Sequence, residues 1–379
     1  LIAEPVMTRR LSPLVVGLRL AAVVAAAALL AAPVLQAQQP DGELQVLPIR
    51  GNVFMIIGGG GHVTLSAGVD GMLLVDTGSE AMVDRMLAKI REVGTTVASA
   101  PTRMTTCVGP TCYASGTSLP FTPYGFASPS YNAIIAAPAP LKPLRWIIQT
   151  HFDPDHVGGT PKLAASGSSY AGGNLTTVLG QSGAEEGAIL MAQENVLRRM
   201  TESNYPEAAW ALETYYTPTY KMSQFVNGEG VVLYHAPAAI TDGDSFVHFR
   251  YSDVISAGDL YTSDRYPMID VAKGGTIQGV IAGLNHILDV AVPEFRHQGG
   301  TMIIPGHGRI GDSADVAVYR NMVSILRDRI QELIKEGKSL QQIKAFKPTL
   351  DYDGVYGSPD HFIEAVYQNL TTKGPTGSR

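Results

Sequence analysis

The order of elements predicts an α/β fold in two halves: strands, then helices, then strands again, then helices. Three observations carry this. Short apolar or β-branched runs bounded by turn residues recur along the chain. Longer amphipathic runs follow each set of strands. Forty glycines and 24 prolines among 379 residues imply many turns and loops rather than a helical bundle. A composition of 45% hydrophobic and 16% charged residues gives ample material for a large core. The net charge of −6 argues against a nucleic-acid surface; a small-molecule substrate is the partner that the motifs further along the chain imply. Oligomeric state is not legible.

The first 37 residues read as a signal peptide. Met7-Thr8-Arg9-Arg10 supplies a basic start, residues 20–32 an uninterrupted apolar stretch, and Leu35-Gln36-Ala37 a cleavage site. The apolar run is short for a membrane span, so no stable span is expected after cleavage. Leu1 to Val6, upstream of Met7, read as a start-site artefact. Export to the periplasm or beyond follows. In an oxidising compartment Cys107 and Cys112, separated by Val-Gly-Pro-Thr, are expected to form a local disulfide.

Strands are predicted at 44–47, 53–57, 63–67 and 72–75. The four glycines 58–61 sit between two of them. A phosphate loop would need a helix and a lysine next, whereas His62-Val63-Thr64-Leu65 reads as a strand, so a mobile hairpin is the better reading. Asp70-Gly71 is a hairpin turn. Asp76-Thr77-Gly78 ends a buried strand, and Ser79 is placed to cap a helix running to about Val93. Residues 95–143 form a long polar loop that carries the cysteine pair and several aromatics, a surface excursion beside the substrate cleft.

Residues 144–149 read as a buried strand, after which the chain presents Thr150-His151-Phe152-Asp153-Pro154-Asp155-His156-Val157-Gly158-Gly159. Two imidazoles and two carboxylates within six residues of a strand end are a metal-site signature, because these donors can converge on one ion. Beyond it the sequence predicts helices at 183–200 and 206–214, and strands at 230–234, 246–249 and 253–256. A helix at 277–292 and a buried strand at 301–304 follow. A long helix is expected at 314–335, a capping box at Ser339 and Gln342, and a last helix at 359–370.

Four separated motifs resemble the metallo-β-lactamase superfamily: Asp70 to Gly78, His151 to Gly159, Thr241-Asp242-Gly243-Asp244 with Ala257-Gly258-Asp259, and Pro305-Gly306-His307-Gly308. The resemblance spans roughly 53–308 and implies an αββα sandwich, two mixed β-sheets back to back with helices outside. The domain is then 44–312, with 313–379 a helical extension packed on it. The glycine run becomes a flap over the active site. Asp76 is implied to bond the metal loop without ligating. Gln193 stands where relatives often have histidine.

The superfamily's His-x-His-x-Asp-His motif is matched at His151, Asp155 and His156, but Asp153 replaces its second histidine. The histidine before the Thr-x-Gly-Asp turn is replaced by Ile240, which has no lone pair. Both departures fall on the first of the family's two metal positions. At the second, Asp155, His156 and His307 remain, with Asp259 as the bridge. The expectation is one zinc ion held by Asp155, His156, His307 and Asp259. Two ions are the alternative, His151, Asp153 and Asp259 forming a weak first site suited to iron or manganese. Asp153, Asp155 and Asp259 are the candidate catalytic carboxylates, with Asp153 or Asp259 taking a proton from water. His235 lies too far along the strand to replace the lost imidazole, about 16 Å if extended. Arg265, with Tyr266 beside it, is a candidate for holding a substrate carboxylate. An ion pair with Asp264 or Asp270 is the competing reading. The expected activity is metal-dependent hydrolysis of an acyl, ester or lactam-type bond. The rival is a catalytically impaired relative acting as a binding protein, and an iron redox role is a third reading.

Overall fold

The computed structural model describes residues 43–68, 70–99, 143–169, 187–293 and 299–372. The expected signal peptide, Cys107, Cys112 and most of the 95–143 loop lie outside the described residues.

The first sheet has seven strands in sequential order: β1 (Gln45–Arg50), β2 (Val53–Ile57), β3 (Val63–Gly68), β4 (Gly71–Val75), β5 (Leu144–Gln149), β6 (Ile189–Gln193) and β7 (Glu213–Tyr215). Its first four strands are antiparallel hairpins, and β4 to β7 run parallel. The second sheet has β8 (Thr219–Lys221), β9 (Val231–His235), β10 (Ser245–Phe249), β11 (Val254–Ser256) and β12 (Met302–Ile304), in the order β12-β11-β10-β9-β8. Only β11 and β12 pair parallel there.

The side chains sort by the two-residue period of a strand. Leu73, Val75, Trp146 and Ile148 enter the layer between the sheets, where they meet Leu233, Val247 and Phe249. Their neighbours Leu74 and Ile147 face outward onto Met86 and Ile90 of α1 (Val83–Ser99) and Leu163. Strands buried on both faces therefore read as continuous apolar runs. Each such side chain contributes roughly 1.5–3 kcal/mol of burial, so a charge at Leu73 would disrupt the sandwich.

Two short helices follow β5, α2 (Pro154–Val157) and α3 (Thr160–Ala165), and α4 (Glu194–Glu202) follows β6. The outer face of the second sheet, through Phe246, Ile255 and Ile303, packs on α5 (Ile277–Val290), α6 (Ser313–Lys335), α7 (Leu340–Phe346) and α9 (Asp360–Thr371), with α8 (Asp353–Tyr356) between the last two. Capping boxes start α6 at Asp312 and α7 at Ser339. The layering is αββα, the expected architecture. No helix among the described residues is long and apolar enough to cross a membrane.

Some elements differ from expectation. The helix expected over 183–200 is the strand β6 followed by α4. Ile189 to Ala192 line up with β5 in the sheet interior, and a short apolar run has the same look in either state. The helix expected at 206–214 is a 3-10 turn, Glu207–Ala209, then the edge strand β7. Ser79 makes no side-chain cap bond, and α1 continues to Ser99, absorbing the start of the expected loop.

Candidate metal centre

The site lies where two parallel strand pairs end at one rim. Asp76 follows β4, His151 follows β5, Asp259 follows β11 and His307 follows β12. Pro154 at the first position of α2 starts a turn that brings Asp155 and His156 round to the same point.

Asp76 organises the loop. It adopts a left-handed backbone, φ 62°, unusual outside glycine. Its carboxylate accepts from the Thr150 amide at 2.8 Å and from the Thr150 hydroxyl at 2.7 Å. His156 Nδ1 lies 2.9 Å from the same carboxylate and donates to it. The Thr150 hydroxyl has one proton, already given to Asp76, so His151 Nδ1, 2.9 Å away, is the donor to Thr150 Oγ1. One carboxylate thus orients both imidazoles through Nδ1, and each ring turns its Nε2 into the cleft.

At the second position three elements converge. His156 Nε2 and His307 Nε2 are 3.4 Å apart. Asp155 Oδ2 is 3.1 Å from His307 Nε2. Asp259 Oδ1 is 3.1 Å from His156 Nε2 and 3.6 Å from His307 Nε2. Donors about 2.05 Å from a tetrahedral zinc ion are about 3.3 Å from one another, so these separations suit ligands around one ion. Although Asp259 Oδ1 is this close to His156, it is buried without hydrogen-bond geometry to any partner. Lone pairs that face one another across a shared point fit a cation there.

The first position is looser. His151 Nε2 lies 3.6 Å from Asp153 Oδ2 and 3.9 Å from Asp259 Oδ2, and it too is buried and unsatisfied. Asp259 therefore reaches both positions, one oxygen to each, and both donor sets are tight enough for an ion. Lys273 Nζ stands 3.7 Å from Asp153 Oδ1.

The electrostatics follow from this crowding. Burial works against protonating His156, yet Asp259 and Asp76 outweigh it and raise its pKa well above the usual imidazole value. Burial and His156 oppose protonation of His151, and Asp153 and Asp259 again prevail, raising its pKa. Burial would raise the Asp259 carboxyl, but His156, His151 and His307 hold it far below the carboxylate range. Contact with His307 lowers Asp155 in spite of burial. The buried cleft is thus built for positive charge between its carboxylates.

The glycine run is a wall of this site rather than a free flap. Gly61 N donates to Asp155 O at 2.9 Å, His62 N to Gly306 O at 2.8 Å, and Ser79 N to Gly59 O at 2.6 Å. A Cβ at Gly61 would overlap the His156 ring, and one at Gly306 would overlap Asp259 Oδ1.

Other candidates stand elsewhere. Tyr266, a candidate substrate group, is corrected: it is buried, its ring stacks on Phe362 and its hydroxyl donates to Asp353 at 2.9 Å. Arg265 is exposed and pairs with Asp264 at 3.0 Å, the competing reading of that residue. His235 bonds Asp242 O at 2.9 Å. Ile240 is packed in the helix-side core. Gln193 caps α4, accepting from Asn195 N at 2.6 Å. Three residues without a sequence signal prove to border the site. Thr150 relays Asp76 to His151, Lys273 contacts Asp153, and His62 lies beside His307, their ring centroids 6.1 Å apart.

Fold and donor set together define an αββα protein with candidate histidine-carboxylate metal-binding groups at the strand ends. The family model of the Metallo-beta-lactamase superfamily matches residues 56–307, and the chain belongs to that superfamily. Among solved structures it is similar to the stereoselective inverting sec-alkylsulfatase Pisa1 from Pseudomonas sp., at 12% identity and TM-score 0.54, over 87% of this chain and 51% of that one. A double mutant of that sulfatase gives 12% identity and TM-score 0.56 over 86% and 50%. The chain thus spans about half the sulfatase's length. A metallo-beta-lactamase from Pontibacter korlensis is similar at 13% identity and TM-score 0.46, over 74% of this chain and 99% of that one. No curated protein matches significantly.

Proposed function

We propose that the chain is an exported hydrolase that uses one zinc ion, held by Asp155, His156 and His307 with Asp259, to cleave an acyl, ester or lactam-type bond in a small molecule. The observation that carries the reading is the convergence of these four side chains at separations of 3.1–3.6 Å. A bound divalent ion supplies Lewis acidity there, acidifying water and polarising the bond to be cut.

The chain's own groups do the rest. Asp76 holds His156 directly, and His151 through Thr150, so the cleft needs little reorganisation. Asp259 is buried with imidazoles on both sides, whereas the Asp153 side chain is 30% exposed. Asp153 is therefore the carboxylate placed to take a proton from attacking water. Asp155, the more exposed of the pair, would hold the ion together with His307.

Metal analysis of purified protein and a chelator-sensitive hydrolysis screen test the reading. The panel holds esters, lactones, thioesters, β-lactams, phosphoesters and alkyl sulfates. One zinc per chain is expected, with turnover of at least one substrate lost on chelation and on His307→Ala. Absence of both bound metal and turnover would instead support the binding-protein reading. Turnover that survives His307→Ala would sink the metal mechanism.

A further inference from the structure

The first metal position differs from the second by more than its missing imidazoles. Two loops are laced together beside it. Ile240 O accepts from Asp270 N at 2.9 Å, and Lys273 O accepts from Asp242 N at 3.0 Å. The segment in which Ile240 replaces a ligand histidine is thus fastened to the turn Val271–Lys273. That turn is itself fixed. The Asp270 side chain accepts from Lys273 N at 3.0 Å, and Gly274 ends the turn with φ 84°. The backbone of Lys273 is therefore held from both sides, and its half-buried side chain reaches back into the cleft.

The ammonium has a defined seat. It is 3.0 Å from Asp270 Oδ2 and 3.7 Å from Asp153 Oδ1. It also lies 5.5 Å from the centre of the Phe152 ring. The other Asp153 oxygen faces His151 Nε2. Asp153, the carboxylate that stands in for an imidazole, thus spans an imidazole and a lysine. From the proposed single-ion reading we infer that Lys273 acts as a built-in counter-cation at the first position, neutralising Asp153 and excluding a second divalent ion. A dication placed among His151, Asp153 and Asp259 would share the Asp153 carboxylate with Lys273, and would meet a like charge a few ångströms off in a poorly screened cleft. Ile240 offers no donor in compensation. Substitution of the two ligand positions and the presence of Lys273 then form one device: a fixed positive charge where the family's scaffold would take a second metal.

Metal-free protein titrated with Zn²⁺ alone tests this, by calorimetry and by metal analysis after gel filtration. Wild type and Lys273→Arg are expected to bind one ion per chain. Lys273→Met, which keeps the stem and removes the charge, is expected to bind two, the second more weakly. Circular dichroism of Lys273→Met verifies that it is folded. One ion in folded Lys273→Met overturns the role given to Lys273 while leaving the single-zinc reading intact, whereas two ions in wild type overturn both. No ion in wild type, or undiminished Zn²⁺ affinity in His156→Ala, overturns both.

Discussion

The two halves of the cleft are built on one scaffold and share Asp259, yet they differ in kind. The half formed by Asp155, His156 and His307 draws donors from two strand-end loops, and with Asp259 its donor pairs lie 3.1–3.6 Å apart. The half formed by His151 and Asp153 is wider, 3.6–3.9 Å, and has an ammonium on its carboxylate. The first geometry suits an ion among unprotonated nitrogens. The second is an arrangement that salt-bridge chemistry already satisfies in part. Donor type alone would rank the halves nearly equal, since each has histidine and carboxylate. What separates them is where the compensating positive charge comes from: solution in one case, the chain's own Lys273 in the other.

Paired deletions of the two histidines are the strongest way to break this contrast. His156→Ala is expected to weaken Zn²⁺ binding by more than about 100-fold, beyond the loss typical of an outer-sphere change. His151→Ala, which removes a donor from the half paired with Lys273, is expected to weaken it by less than about 10-fold. Competition with a chromophoric chelator measures both. Equal losses would mean that the halves work as one site and that the difference in spacing has no consequence.

How far this was legible in the sequence depends on the kind of feature. His151, Asp155, His156, Asp259 and His307 could be placed because each sits in a short strand-end motif that resembles one of the superfamily's, and the resemblance, not the local sequence, implied that the motifs meet. Strands such as β4 and β5 were legible because burial on both faces leaves a continuous apolar run. β6 was not, because an apolar run of five residues reads equally as part of a helix until its partner strand is known. Lys273 was invisible for a different reason. It lies 120 residues from Asp153, and the two meet only because the loops at 240–242 and 270–275 are hydrogen-bonded together. Tyr266 failed in the opposite way. Proximity in sequence to Asp259 suggested the cleft, but the loop turns its ring into the helical layer against Phe362.

A smaller effect is expected from the group that orients the donors. Asp76 accepts from the Thr150 amide, the Thr150 hydroxyl and His156 Nδ1. Asp76→Asn leaves one acceptor oxygen for three donors and aims an NH₂ group at one of them. Zinc affinity is expected to fall about 10–100-fold. The loss should fall on the half containing His156, so the bound stoichiometry at saturating Zn²⁺ stays at one. A variant with unchanged affinity would show that the His156 orientation is held by packing against Gly61 instead.

The smallest effect separates the wall of the site from its donors, through His62. This ring is buried between the glycine run and the Pro305 carbonyl, 3.0 Å from its Nδ1. Burial is the main cause that lowers its pKa to about 4, with His307 and His156 adding to it and the Pro305 bond opposing. In the unfolded chain the imidazole titrates near its ordinary 6.5. Between these values the unfolded state binds the extra proton and the folded state does not, so stability falls as pH drops from about 6.5 toward 4. By pH 5 the loss is about 2 kcal/mol. Urea unfolding of metal-free wild type and His62→Gln at pH 7 and pH 5 measures it as the difference between their two pH slopes, because the ligand histidines keep their own contributions in both. The raised pKa values of His151 and His156 act with the opposite sign, adding stability as pH falls, so a His62→Gln slope equal to that of wild type would mean that His62 adds no acid sensitivity and the wall contributes only packing.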